Sequence, residues 1–196
     1  MTTPIGVLAL QGDFAQHAAA LERIGVPSLE VRMPGQLEQV GGLVMPGGES
    51  TTLLKLLDTW DFVPALEKFH AAGKPIFGTC AGMILLAREV RSPSQFSLGL
   101  IDVAVERNAY GRQKESFEAE GTADLGLGSK PLKMVFIRAP RLTAMGSGVS
   151  PLGWHRGECV MARQGSVLVA AFHPELTGES TVHEYFARMA QRASGG

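Results

Sequence analysis

Apolar residues in the first 80 positions occur in short continuous runs separated by stretches of helical periodicity. Runs at residues 5–10, 42–45 and 74–77 contain few polar positions, which is typical of strands covered on both faces, and residues 29–31 form a shorter run. Between these runs the spacing of apolar residues predicts helices over residues 14–24, from Ser50 onward, over about 61–72, and over 81–88. The alternation predicts an α/β fold with an open, mostly parallel central sheet and helices on both faces.

The pattern changes after Arg88. Residues 101–107 and 116–119 alternate between apolar and polar, and the segment 108–111 separates them, so we expect antiparallel strands outside the parallel core. A further apolar strand is expected at 134–137. Residues 141–153 are rich in Gly and Ser and predict a loop.

The last part of the chain predicts a hairpin and a helix. Residues 159–162 and 167–172 flank a Gln-Gly turn, and apolar positions from Thr181 onward have helical spacing. With 196 residues and 45% hydrophobic content, the chain is long enough to bury one core. We expect one domain over residues 1–193 and a frayed tail at 194–196.

Composition excludes several classes of function. Lys and Arg (18) nearly balance Asp and Glu (19), so no basic surface for nucleic acid is expected. Residues 1–4 lack the features of a signal peptide, and no apolar run approaches membrane-spanning length. Two cysteines argue against a disulfide framework. We therefore expect a soluble, cytoplasmic protein without a membrane or nucleic-acid partner.

The segment 78–82 (GTCAG) places Cys80 between an apolar run and a helix-forming run. This spacing is that of a nucleophile elbow, a sharp strand-to-helix turn that presents its central side chain above the sheet edge. A helix beginning at Ala81 favours a thiolate and supplies free N–H groups for an oxyanion. The alternative is a small buried cysteine in a tight junction.

A base for this thiol is predicted at the end of another strand, in the segment 173–175 (HPE). Pro174 keeps His173 extended, and residues two apart in extended chain project to the same side, so Glu175 can lie beside the imidazole. The carboxylate would fix the tautomer and stabilise the imidazolium. The alternative is a strand-terminal histidine next to a solvated glutamate.

The segment 46–50 (PGGES) is either a strand-to-helix connection with Ser50 as N-cap, or an exposed backbone whose Gly48 N–H joins the Ala81 N–H in an oxyanion hole.

Arg107 and Arg138 follow strands. Each is either a surface arginine or a clamp for a substrate carboxylate.

The remaining candidates predict little chemistry. Cys159 is interpreted as an inert core thiol, and we predict no metal site and no cofactor. Three histidines fall in predicted helices and one in a loop, and substitutions of the helical three are expected to be mild. These histidines are His17, His70, His183 and, in the loop, His155.

Six segments together resemble a known family. They are residues 6–12 (GVLALQG), 46–52 (PGGESTT), 78–82 (GTCAG), 105–108 (VERN), 136–140 (FIRAP) and 172–177 (FHPELT). Their combination resembles the glutaminase subunits of pyridoxal 5'-phosphate synthases, which are class I glutamine amidotransferases of the Cys-His-Glu type with a flavodoxin-like sheet. The resemblance covers nearly the whole chain.

The resemblance implies hydrolysis of L-glutamine through a cysteinyl thioester, with no cofactor, and ammonia transfer to a separate synthase subunit. It implies Cys80 as nucleophile, His173 as base and Glu175 as its orienter. The residues that it implies for the glutamine pocket are Gly48, Glu49, Ser50, Arg107, Ile137 and Arg138. Two departures, at residues 13–14 and 154–157, are expected to touch no catalytic residue.

Three alternatives stay open on the sequence alone. The chain is a glutaminase for another pathway, such as imidazole glycerol phosphate synthesis, or a catalytically idle flavodoxin-like regulatory subunit. The third alternative is a cysteine peptidase or esterase built on the same elbow.

Overall fold

A computed structural model describes residues 3–107 and 116–195. Its α-helices are α1 (Phe14–Arg23), α2 (Ser50–Thr59), α3 (Phe62–Ala71), α4 (Ala81–Leu86) and α5 (Thr181–Ser194). Its strands are β1 (Ile5–Leu8), β2 (Ser28–Val31), β3 (Gly42–Met45), β4 (Ile76–Thr79), β5 (Ala87–Arg91), β6 (Ile101–Glu106), β7 (Ser116–Asp124), β8 (Ser129–Ile137), β9 (Arg141–Met145), β10 (Ser150–His155), β11 (Glu158–Gln164) and β12 (Val167–Ala170). Two 3₁₀ turns lie at Pro34–Gln39 and Pro174–Leu176.

Nine of the described strands form one sheet in the order β2-β1-β3-β4-β12-β11-β10-β7-β8. The first five are parallel, and antiparallel pairing takes over where β11 meets β12. Strands β1, β3, β4 and β12 are buried along their whole length, as their continuous apolar runs predict. This confirms the α/β fold class with a parallel core and antiparallel additions.

The segment after α4 differs from its predicted structure. Residues 87–88 were expected to extend the helix, but Ala87 begins β5, which pairs parallel with β6 in a separate three-stranded sheet, β5-β6-β9. Strands β6 and β7 are therefore not partners, since β7 belongs to the large sheet and pairs there with β8 and β10. The predicted connection at residues 108–111 lies outside the described residues.

The loop predicted over residues 141–153 is wrong. This stretch contains β9, which pairs with β6, and the first residues of β10, which pairs with β11. Small and polar residues are accommodated here because much of β9 and the start of β10 is exposed, so their pairing depends on backbone hydrogen bonds more than on apolar side chains.

The parallel strands determine where a site can form. The segments after β3, β4 and β12 leave the sheet at the same edge, because the three strands are parallel neighbours. Ligands bind beyond the carboxyl ends of the strands in open α/β sheets.

Among the helices of the described ranges, none combines the length and apolar character that a bilayer crossing demands. The domain boundary at residue 193 stays a prediction.

Candidate active site

Cys80 occupies a strained turn between β4 and α4. Its φ of 48° and ψ of −102° are backbone angles that residues other than glycine rarely adopt. The flanking glycines are required by close packing. A Cβ on Gly78 would lie 2.6 Å from the carbonyl carbon of Gly82, and a Cβ on Gly82 would lie 2.1 Å from the Met45 oxygen. The strain therefore falls on the cysteine itself, and the glycines let α4 pack against β3 and β4.

The Cys80 thiol is almost fully buried, with 5% of the residue exposed. Its Sγ lies 3.7 Å from the carbonyl oxygen of Ile137, at the end of β8. Ala81 is the first residue of α4, so its N–H has no acceptor within the helix. The thiol and a free helix N–H are consequently neighbours, as the elbow interpretation predicts.

His173 and Glu175 form the expected pair after β12. Nδ1 of His173 lies 2.7 Å from Oε1 of Glu175, and both residues are buried. Burial lowers the pKa of His173, but interactions with the Cys80 thiol and the Glu175 carboxylate outweigh it and raise that pKa to about 10. Within the described ranges, Nε2 has no hydrogen-bond partner. His173 is therefore an imidazolium at neutral pH, with Nε2 left for proton transfer.

The loop after β3 packs between the loop after β1 and the His173 ring. A Cβ on Gly47 would lie 2.3 Å from Cε1 of His173, and a Cβ on Gly48 would lie 2.4 Å from Oε1 of Gln11. The Asp13 N–H donates to the Gly47 oxygen at 3.1 Å. Both glycines are thus needed for close packing, Gly48 is exposed, and the part of its N–H in an oxyanion hole stays a prediction.

The N-cap of α2 is Glu49, whereas the sequence offered Ser50 as the cap. The Glu49 carboxylate accepts hydrogen bonds from the backbone N–H groups of Thr51 and Thr52, and Ser50 is the first helical residue. Hydrogen bonds from Thr51 and Thr52 outweigh partial burial and lower the pKa of Glu49 to about 2. The Arg107 guanidinium lies 3.8 Å from the same carboxylate.

Glu49→Gln is expected to lower the free energy of unfolding by about 1 kcal/mol at neutral pH, because a charged cap is replaced by a neutral one. The folded-state pKa is depressed, so this stabilisation is present above pH 4.5 and is lost as the pH falls toward about 2. Urea unfolding of both proteins over this range measures the difference. Glu67→Gln, on the exposed face of α3, is the matched control, and an equal loss in both variants contradicts the assignment.

One cavity of about 380 Å³ brings the predicted residues together. The nucleophile and base candidates, Cys80 and His173, share its wall with every residue that the family resemblance implied for the glutamine pocket. Those pocket residues are Gly48, Glu49, Ser50, Arg107, Ile137 and Arg138. The Arg107 side chain is only 14% exposed, so it is not a solvated surface arginine, and its role as a carboxylate clamp stays a prediction.

Sequence reasoning missed two residues of this cavity, Asp13 and Ile84. Asp13 was expected to cap α1, but its side chain makes no capping hydrogen bond, and its Oδ2 lies 3.5 Å from Nδ1 of His173. The departure at residues 13–14 therefore does reach the site, contrary to expectation. A signal was present, because Gln11, Gly12 and Asp13 follow a parallel strand as the cysteine does.

Sequence reasoning also missed His17, on α1. Its Nε2 lies 3.3 Å from Oε2 of Glu175, and both side chains are fully buried.

Asp13, His173 and Glu175 place possible metal-ligand atoms within 4.8 Å of one another. Because His173 and Glu175 are already hydrogen-bonded together, we assign them no metal. His155 ends β10 and is not in a loop. Both cysteines are free, and Cys159 is half-buried rather than a core thiol.

Comparison with known proteins agrees with this geometry. Residues 7–192 match the model of the SNO glutamine amidotransferase family. The chain is 52% identical over 189 residues to the pyridoxal 5'-phosphate synthase subunit PdxT of Pelotomaculum thermopropionicum, covering 96% of each protein. It is 50% identical over 186 residues to the protein of that name from Desulforamulus reducens, covering 94% of this chain and 98% of that protein.

Among solved structures, one described as the crystal structure of a glutamine amidotransferase superposes with a TM-score of 0.88. It is 46% identical, and the match covers 95% of this chain and 98% of that one. The family match spans nearly all of the chain, and the relatives match it over almost their whole length. The chain therefore belongs to the SNO glutamine amidotransferase family.

Proposed function

We propose that this chain is the glutaminase subunit of a pyridoxal 5'-phosphate synthase. It hydrolyses the side-chain amide of L-glutamine to glutamate and ammonia, and the ammonia passes to a separate synthase subunit. One observation carries the proposal: a single cavity holds the Cys80 thiol, the His173 imidazole and all the expected pocket residues. Family membership and the names of the PdxT relatives support the choice of pathway.

The reaction begins at Cys80. The thiolate attacks the amide carbon, and an S–C bond forms while the carbonyl oxygen becomes an oxyanion. His173, an imidazolium at neutral pH, gives its Nε2 proton to the departing nitrogen, so that the C–N bond breaks and ammonia leaves. The neutral imidazole then takes a proton from water, which hydrolyses the thioester to glutamate and restores the thiolate. Glu175 stabilises the imidazolium.

The oxyanion is stabilised by backbone N–H groups. Ala81 supplies one from the start of α4, and Gly48 supplies the other from the loop that packs on His173. Donors of this kind contribute roughly 3 kcal/mol each to the transition state. In this scheme the synthase raises glutaminase activity, because it sets the orientation of the Gly47–Gly48 peptide. Without such control the chain would hydrolyse glutamine when no synthase is present to use the ammonia.

The glutamine pocket holds the substrate's α-carboxylate and α-ammonium groups. Arg107 and Arg138 carry the guanidinium groups that bind a carboxylate, and Ile137 and Ser50 line the same wall. The Glu49 carboxylate already accepts hydrogen bonds as the N-cap of α2, and it contributes negative charge at the pocket rim.

Arg107→Ala and Arg138→Ala are each expected to raise the KM for glutamine by roughly 10-fold or more, because a charge-assisted hydrogen bond to the substrate is lost. The Cys80 thiol should remain open to alkylation by iodoacetamide in both variants. Arg192→Ala, on the exposed end of α5, is the control. A KM equal to that of the wild-type protein in both pocket variants removes these residues from the site.

The partner is a synthase that combines ammonia with two sugar phosphates, and the assembly is a hetero-oligomer in the cytoplasm. Two free cysteines are consistent with a reducing compartment. The rival assignment, a glutaminase for imidazole glycerol phosphate synthesis, matches the same chemistry but not the names of the relatives.

The test is ammonia release from glutamine by the chain alone, with a pyridoxal 5'-phosphate synthase subunit, and with an imidazole glycerol phosphate synthase cyclase subunit. We expect the first partner to raise the rate and the second to leave it unchanged. Activation by the cyclase alone contradicts the pathway assignment. Absence of hydrolysis with every partner contradicts the glutaminase assignment.

A further inference from the structure

The buried carboxylate Glu175 has two oxygens, and the reaction described above uses one of them. Oε1 lies 2.7 Å from Nδ1 of His173, whereas Oε2 lies 3.3 Å from Nε2 of His17. Neither Glu175 nor His17 has an exposed side chain. Among the described residues Oε2 makes no hydrogen bond of ordinary geometry, which is costly for a buried carboxylate oxygen, so the polar atom that faces it matters for the charge on Glu175.

His17 is held in place by two further contacts. Its Nδ1 lies 2.9 Å from Nε2 of His183, on α5, and its Nε2 lies 3.2 Å from Oγ1 of Thr79, the residue before Cys80. The rings of His17 and His183 also pack edge-on against Phe77. The imidazole on α1 therefore contacts both α5 and β4, the strand that Cys80 follows.

These contacts select one tautomer of His17. If Nε2 carried a lone pair, that lone pair would face a carboxylate oxygen, which is repulsive. If Nε2 carries the hydrogen, the N–H donates to Thr79 Oγ1 and its positive end lies near Glu175 Oε2, and Nδ1 accepts from the Nε2–H of His183. The second arrangement accounts for the Thr79 and His183 hydrogen bonds and places the hydrogen of Nε2 on the side of Oε2, so Nε2–H is the tautomer that the geometry favours.

His17 and His183 are both neutral in this arrangement. Burial, then the nearby His183 and His173, keep the pKa of His17 well below 6.5. Burial and the charge of Arg23 lower the pKa of His183 to about 4. A neutral N–H donor orients a carboxylate without cancelling its charge, and that charge is what stabilises the His173 imidazolium.

We propose that His17 is a positioning residue for glutamine hydrolysis: as a neutral donor fixed by His183, it orients the ionised Glu175 carboxylate toward His173. This inference rests on the proposed function. It replaces the sequence-based expectation that substitution of His17 is mild, and it assigns a purpose to a histidine pair buried between α1 and α5.

The test compares three variants, each assayed with the synthase subunit for kcat and KM over the pH range in which the complex is stable. His17→Leu removes the donor, and His17→Gln keeps an N–H donor at the position of Nε2. Phe77→Leu is the matched control, because it loosens the packing of both rings and removes no hydrogen bond. Circular dichroism establishes that each variant folds.

His17→Leu is expected to lower kcat roughly 10- to 100-fold with KM close to the wild-type value, because the N–H that faces a buried carboxylate at 3.3 Å is lost. The variant places no N–H dipole opposite Oε2, so the acidic limb of its kcat profile is expected to move toward higher pH. His17→Gln should recover most of kcat. Phe77→Leu should keep the wild-type profile, since a packing defect alone lowers the rate by the same factor at every pH.

Other titratable groups face this cluster and have to be held constant. They are Cys80 and Asp13 around His173, and Arg23 near His183. None of the three variants alters them. The pH dependence of Cys80 alkylation by iodoacetamide provides a second readout that does not depend on glutamine, and its acidic limb should move in the same direction.

A wild-type kcat and acidic limb in His17→Leu would overturn the proposal, as would a His17→Gln variant that is as slow as His17→Leu. If His17→Leu does not fold, His183→Leu takes its place, because it removes the donor that fixes the His17 tautomer. An unchanged acidic limb in His183→Leu then overturns the proposal. If the wild-type complex itself releases no ammonia from glutamine, the proposed function fails instead, so the two failures are distinguishable.

Discussion

Cys80→Ala is expected to abolish the release of ammonia from glutamine, with a fall in kcat of about 10⁴-fold or more, because no other group in the cavity can form the thioester. The cavity is lined by one thiol within the described ranges, and the oxyanion donors cannot act without a nucleophile. The measurement is glutamate dehydrogenase-coupled detection of ammonia in the complex with the synthase subunit.

The same variant tests the production of ammonia by this chain separately from the use of ammonia by the synthase subunit. Cys80 is buried, so its replacement by alanine leaves the surface that meets the synthase unchanged. The variant complex should therefore fail to make pyridoxal 5'-phosphate from glutamine and succeed when an excess of ammonium salt is supplied. The wild-type complex should use either source.

Cys159→Ala is the matched control, because it removes the chain's other thiol, which is half-buried on β11 and donates to the Met161 oxygen. It should keep full activity. Glutamine-dependent synthesis by Cys80→Ala would show that the nucleophile is another residue. Failure of ammonium to support synthesis would show that the partner or the division of labour is misassigned.

His173→Asn is expected to lower kcat by about 10²- to 10⁴-fold, the range that general acid–base catalysis contributes. Asparagine cannot protonate the departing ammonia or accept a proton from water. The pKa of His173 is raised to about 10, so a positive charge shares the cavity with the Cys80 thiol through neutral pH, and the variant lacks that charge. The variant should consequently need a higher pH for alkylation of Cys80 by iodoacetamide.

His70→Asn, on α3, is the control for the loss of a histidine elsewhere. Its kcat and its alkylation profile should equal those of the wild-type protein. If His173→Asn alkylates at the same pH as the wild-type protein and keeps its kcat, the imidazole of His173 has no part in proton transfer.

Local patterns in the sequence were sufficient to predict the local geometry of the candidate site. The GTCAG segment predicted a strand, a sharp turn and a helix, and the HPE segment predicted a histidine beside a carboxylate; both are present. Such patterns succeed because each describes a few adjacent residues whose backbone geometry follows from their own side chains. Parallel strands then bring their carboxyl ends to one edge, so the meeting of Cys80 and His173 followed from the fold class.

Predictions failed where the local sequence was compatible with more than one structure. Ala87 continues the apolar run of α4, and only the pairing of β5 with β6 makes it the start of a strand. Residues 141–153 lack an apolar pattern because β9 and the start of β10 are largely exposed. At the start of α2, either Glu49 or Ser50 could act as the cap, and two neighbouring threonine N–H groups favour the carboxylate.

The sequence alone determined the α/β class, the elbow cysteine and the His-Pro-Glu pair, since these depend on periodicity and on contacts between neighbours. Only the tertiary structure decided that Asp13 approaches His173 and that His17 meets Glu175. Those contacts join residues more than 150 positions apart, and they depend on the strand order and on how α1 packs beside the end of β12. The periodicity of α1 marks its buried face, but it cannot say which buried carboxylate that face will meet, because the partner belongs to another part of the chain.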